Sequence, residues 1–141
     1  MSAVFVLDPT LQADTVLVGD LALSRVLLMD DARFAWLILV PRVPGMRDLI
    51  DLPRVRQHEL LDEVELAARA LRELYAPFKL NVAALGNVVA QLHVHVIARH
   101  TDDPAWPKPV WGVGSAEPYS AEARAAALAR VRAALGVVAP G

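Results

Sequence analysis

Apolar and polar positions along the chain fall into runs that separate strands from helices. The stretch "ALSRVLLMDDARFAWLILVPR", residues 22–42, holds two apolar, β-compatible runs on either side of "DDAR". It predicts a hairpin whose second strand ends at Pro41, because proline has no N–H to give to a sheet ladder. Pro44-Gly45 then forces a turn, and Pro53 suits the first turn of a helix, where a missing N–H costs nothing. From there Leu60, Leu61, Val64, Ala67, Ala68, Leu71, Leu74 and Tyr75 recur at helical spacing through about residue 76, with charged residues on the other side. Pro77 stops this helix. Two more strands follow, "KLNVAAL" and "QLHVHVIAR" (residues 91–99), joined near Gly86-Asn87. A Pro- and Trp-rich segment, "PAWPKPVWG", leads to an Ala- and Arg-rich helix over about residues 120–135. Strands, one long helix, strands again and a C-terminal helix predict an α+β fold with an antiparallel sheet. No repeat, linker or break in composition divides residues 1–141, which read as one domain.

Composition narrows the function classes. Apolar residues make up 55% of the chain, yet no uninterrupted apolar run approaches the ~18 residues that span a bilayer, so no membrane role is expected. Lys and Arg number 14 against 16 Asp and Glu, a formal charge of −2, with no basic footprint for nucleic acid. Zero cysteines leave no disulfide framework, thiolate metal site or cysteine nucleophile. The N-terminal stretch "MSAVFVLDPT" lacks the basic flank and cleavage site of a secretory signal, and the expectation is a cytoplasmic protein.

The chemistry concentrates in "QLHVHVIAR". On a strand, Gln91, His93 and His95 share one face while Leu92, Val94 and Val96 share the other. Imidazole titrates near neutrality and is an uncommon choice for a merely solvated face. Glycine-containing turns at Gly86 and Gly45 leave room for a ligand, and Asn81 lies within cross-strand reach if the two strands form a hairpin. Two chemistries use such a strand. A metal site needs further ligands; no Glu closely follows His95, and only His100, Asp102 and Asp103 are near enough in sequence to fold back. The other chemistry is nucleophilic attack by neutral imidazole on phosphorus, which needs neither metal nor cofactor.

These residues resemble the signature of the histidine triad superfamily, in which histidines alternate with apolar residues. Gln91 stands where the first histidine usually is, and His93 and His95 match the second and third. "LILVPR" resembles the family's strand ending in Pro-Lys or Pro-Arg, and "LNVAALGNVVAQ" resembles the Asn-to-Gly stretch that leads into the triad. The resemblance implies a HIT-like sheet of about five strands, a homodimer, and hydrolysis or transfer at the α-phosphate of a nucleotide. It makes His93 the nucleophile that forms a covalent nucleotidyl-histidine and places His95 near the phosphate and leaving group. Asn81, Gly86, Asn87 and Gln91 become substrate-binding residues. A nucleotide-binding relative without catalysis, and a metal-dependent enzyme using His93 and His95, are the alternatives.

The chain also departs from the family's pattern. Val88 stands where many members carry a hydroxyl, and Trp36 where many carry another histidine, so both substitutions are expected to remove phosphate ligands. Gln91 keeps the backbone carbonyl that orients the nucleophile, together with an amide donor for a phosphate oxygen. His58 reads as a surface residue, His100 as a loop residue, and Trp106 and Trp111 as packing residues or a platform for a base.

Overall fold

The computed structural model describes residues 4–140. Residues 1–3, part of the stretch read as free of a secretory signal, and residue 141 lie outside the described residues. The chain opens with α1 (Pro9–Asp14) and β1 (Thr15–Asp20), two elements that the hydrophobic pattern did not disclose. Their local cause is plain: the Asp8 carboxylate accepts from the Thr10 N–H at 2.8 Å, and Pro9 fills the first helical position. The predicted hairpin follows as β2 (Ser24–Met29) and β3 (Ala35–Pro41). After a short 3-10 turn, Leu49–Asp51, comes α2 (Arg54–Tyr75), then β4 (Lys79–Ala83), β5 (Val94–Arg99) and α3 (Ala121–Leu135). Helix α2 starts directly after Pro53 and ends as Ala76 turns left-handed at φ 45°, one residue before Pro77.

All strands join one antiparallel five-stranded sheet in the order β1-β2-β3-β5-β4. Helices α2 and α3 cover one face, where Leu28, Leu37, Leu39 and Val96 meet Ala67, Leu71, Leu128 and Val131. The other face is not wet. Leu11, Phe34, Trp36, Ile38, Ile97, Ala105 and Val110 form a second core there, so loops and the N-terminal segment cover it. All six residues of β5 are buried, so its polar positions do not face solvent.

The start of β5 also differs from the sequence reading. The ladder begins at Val94, not residue 91, because the Leu92 N–H donates to the Met46 carbonyl at 3.0 Å rather than to a neighbouring strand. Gln91 and His93 therefore lie on the approach to the strand. On the helix side, the buried Glu63 carboxylate accepts from the backbone N–H groups of Leu23 and Ser24 at 2.8 and 2.9 Å, tying α2 to the start of β2.

Candidate active site

His93 and His95 come together as expected, with ring centroids 4.9 Å apart and the rings close to perpendicular, at 70°. Both are buried, at 6% and 4% exposure. His93 Nδ1 lies 2.6 Å from the carbonyl oxygen of Gln91. A carbonyl only accepts, so Nδ1 carries the proton and in the neutral ring Nε2 keeps its lone pair. His95 is arranged in the opposite sense. Trp36 Nε1 lies 3.0 Å from His95 Nδ1, and an indole N–H only donates, so this nitrogen holds the lone pair and Nε2 carries the proton. The site thus sets an electron-pair donor beside a hydrogen-bond donor. Burial, and secondarily the nearby His93, pushes the His95 pKa down to about 4, which keeps it neutral at pH 7.

The two rings border a cavity of about 310 Å³. Thr10, Leu11 and Asp14 close it on the α1 side, Met29 at the end of β2, and residues 85–89 on the loop between β4 and β5. Gly86 adopts φ +79°, and a Cβ there would stand 3.3 Å from the Val89 carbonyl, so the loop takes its path because this residue has no side chain. Asn87 and Val88 on the same loop are exposed, and both border the cavity. Trp111 completes the wall, edge-on to His95 at 4.9 Å and to Trp36 at 5.8 Å.

Two other expected residues are turned elsewhere. Asn81 pairs with Ile97 in the ladder, and its Oδ1 accepts from Arg99 Nη1 at 2.9 Å, so it borders an adjoining cavity and not the one holding the imidazoles. The Gln91 carboxamide is engaged by the N-terminal segment: Oε1 accepts from the Asp8 N–H and Nε2 donates to the Val6 carbonyl, both at 2.9 Å. Only the backbone carbonyl of Gln91 meets an imidazole. Trp36 is buried behind His95 as its hydrogen-bond donor, which replaces the expectation of a simple loss.

The remaining conspicuous residues sort cleanly. Asp103 does not fold back toward the imidazoles but forms a buried pair with Arg99, Nε to Oδ2 at 2.7 Å and Nη2 to Oδ1 at 3.0 Å. Trp106 stacks over that guanidinium at 5.5 Å, whereas Trp111 belongs to the cavity. His58 is exposed on α2, and His100 is half-buried just past β5. Among the described residues, no group of three or more His, Cys, Asp or Glu is placed to hold a metal ion. The sequence reading missed Thr10, Asp14 and Met29; the cap signal Asp8-Pro9 could have placed α1 but not its position over the histidines.

An antiparallel α+β sheet carrying paired imidazoles beside a glycine loop defines a protein class, and comparison names it. The HIT domain family matches residues 10–102. The chain belongs to the HIT domain family. A histidine triad protein from Bradyrhizobium japonicum is 45% identical, with 94% of this chain and 99% of that one covered and a TM-score of 0.92. One from Marinobacter aquaeolei VT8 is also 45% identical, over 95% and 98% of the two chains, with a TM-score of 0.93. A third, from Sinorhizobium meliloti 1021, is 43% identical over 92% and 96%, with a TM-score of 0.90. No curated protein matches the chain significantly.

Proposed function

We propose that this protein is a nucleotide hydrolase or nucleotidyl transferase that works through a covalent nucleotidyl-histidine on His93. Membership of the HIT family supports a nucleotide-binding or hydrolase-type function in general. The observation that carries the finer reading is the contact between His93 Nδ1 and the Gln91 carbonyl, which in the neutral ring leaves the lone pair on Nε2 for attack. In this reading Gln91 takes the first triad position and acts through its backbone. His93 Nε2 attacks the α-phosphorus, His95 Nε2–H donates a hydrogen bond to a phosphate or leaving-group oxygen, and the Gly86-Asn87 loop borders the phosphate. The nucleoside lies toward Thr10, Met29 and Trp111, and Asn81 supports the site from the next cavity through Arg99.

The reading needs no metal and takes the working form as a cytoplasmic homodimer. An open strand edge supports the dimer: β4 ends the sheet, and exposed Leu61 and Val82 flank an apolar cavity of about 360 Å³ between it and α2. Among the described residues, no helix is long and apolar enough to cross a membrane.

Acid-sensitive trapping tests the proposal. The protein is mixed with adenylated and guanylated compounds and quenched in mid-turnover, and the expected product is an acid-labile nucleotide on His93, with His93→Ala inactive. A nucleotide mapped to His95, near-normal turnover by His93→Ala, or activity that is lost to chelators and restored by zinc overturns it.

A further inference from the structure

We propose that the Trp36 indole keeps His95 a neutral Nε2–H donor through the neutral pH range. The site then prefers nucleoside 5′-phosphoryl anhydrides, whose leaving oxygen departs as an anion, over phosphoramidates, whose amine must be protonated. The substrate half rests on the nucleotidyl-histidine reading above; the protonation half stands on geometry alone.

Trp36 faces Ile97 across the β3–β5 ladder and His95 faces Ile38, so indole and imidazole are diagonal neighbours on one buried face. Phe34 and Trp111 meet the indole edge-on at 6.3 and 5.8 Å, which fixes its plane. A protonated His95 carries hydrogen on both ring nitrogens. Its Nδ1–H would confront the indole N–H, donor against donor, with both rings buried.

The surrounding charges do not reverse this. The neighbouring His93 disfavours a positive charge on His95, and Asp14 is the one acidic residue in the cavity lining. Facing residues Ile38 on β3 and Ala83 on β4 are uncharged. Arg99 along the same face is paired with Asp103, and Arg33 on the far side of Trp36 is paired with Asp31.

The chemical consequence follows the electrons. As His93 Nε2 bonds to phosphorus, the bond from phosphorus to the leaving group breaks and its electron pair goes with that group. A carboxylate or phosphate keeps the pair as an anion, with His95 Nε2–H giving a hydrogen bond and no proton. An amine leaving group must take a proton, and a neutral imidazole N–H is far too weak an acid to supply it. In the second step water bonds to phosphorus, the pair in the nitrogen–phosphorus bond returns to His93 Nε2, and the water's proton passes to solvent.

The test has two arms. Nitrogen-15 spectra of histidine-labelled protein should show His95 as the neutral Nε2–H tautomer from about pH 5 to about pH 8, with Trp36→Phe giving mixed tautomers and titration nearer the ordinary range. In parallel, kcat/KM is measured for an acyl adenylate and an adenosine phosphoramidate. The wild type should favour the anhydride, and Trp36→Phe should shift the ratio toward the phosphoramidate by about tenfold. A wild-type His95 protonated on Nδ1 at neutral pH overturns the protonation half, whether or not the variant folds. A ratio unmoved in a folded Trp36→Phe overturns the substrate half. Turnover of neither compound removes the nucleotide reading and the substrate half together, while the spectra still decide the state of His95.

Discussion

The carbonyl oxygen of Gln91 meets His93 Nδ1 at 2.6 Å, while the carboxamide of the same residue holds Val6 and Asp8. Orientation of the nucleophile and anchoring of the segment before α1 are thereby divided between backbone and side chain. Gln91→Ala keeps the first and loses the second. Stability should fall by about 1–2 kcal/mol in urea titrations, and kcat should stay within about tenfold of the parent. Collapse of kcat in a folded variant would show that the side chain, not the carbonyl, serves the chemistry.

His95 links stability to pH. Its pKa is about 4 when folded against 6.5 in the unfolded chain, so between those values the unfolded state binds the proton that the folded state refuses. Stability is therefore lost as pH falls from about 6.5 toward about 4, by on the order of 3 kcal/mol, and no further below that window. His95→Gln retains an oxygen acceptor for the indole but does not titrate. The difference between the two unfolding curves across the window isolates the imidazole, and identical slopes would refute the shift.

The buried pair of Arg99 and Asp103 is exposed by only 2% and 6% at its side chains. Asp103→Ala leaves a buried guanidinium with only the Asn81 side chain and the Lys108 carbonyl as acceptors. The expected cost is about 3–5 kcal/mol, read as a lowered thermal midpoint. Asn81→Ala removes a single acceptor and should cost about 1–2 kcal/mol.

At Gly86 the backbone is left-handed and a methyl group would crowd the Val89 carbonyl. Gly86→Ala should lower stability by about 1–2 kcal/mol and raise KM more than it lowers kcat, because the loop borders the cavity without entering the proton chemistry. Steady-state kinetics with the best substrate of the panel would check the split.

Helix α2 was legible because its wet face gives it a period, the β2–β3 hairpin because two apolar runs flank a polar turn, and α3 because of its Ala- and Arg-rich composition. Strand β5 was legible as a strand but its full burial was not, because polar residues on a covered face look the same in sequence as polar residues in water. Helix α1 is too short to show a period, and β1 carries a register shift between Leu17 and Gly19 that breaks its alternation. The histidine pair could be found from its spacing; the tautomer of His95 could not. It depends on Trp36, which lies 59 positions away and acts across a diagonal of the sheet. Asn81 was misdirected by Arg99, a charged strand end that reads as a boundary yet is the centre of a buried network.

Arg132 of α3 donates to the carbonyls of Leu17 and Val18 at 2.9 and 2.8 Å, at the shifted register of β1. Beside it, the Cα of Gly19 admits Val137 and the Val138 carbonyl so closely that a Cβ would stand 3.1 and 3.2 Å from them. The contacts that finish the first strand thus come from the far end of the fold, and loop closure over that distance must precede its stabilisation. A nascent chain can pair β1 with β2 early, but the outer contacts of this strand are completed only once residue 132 has emerged.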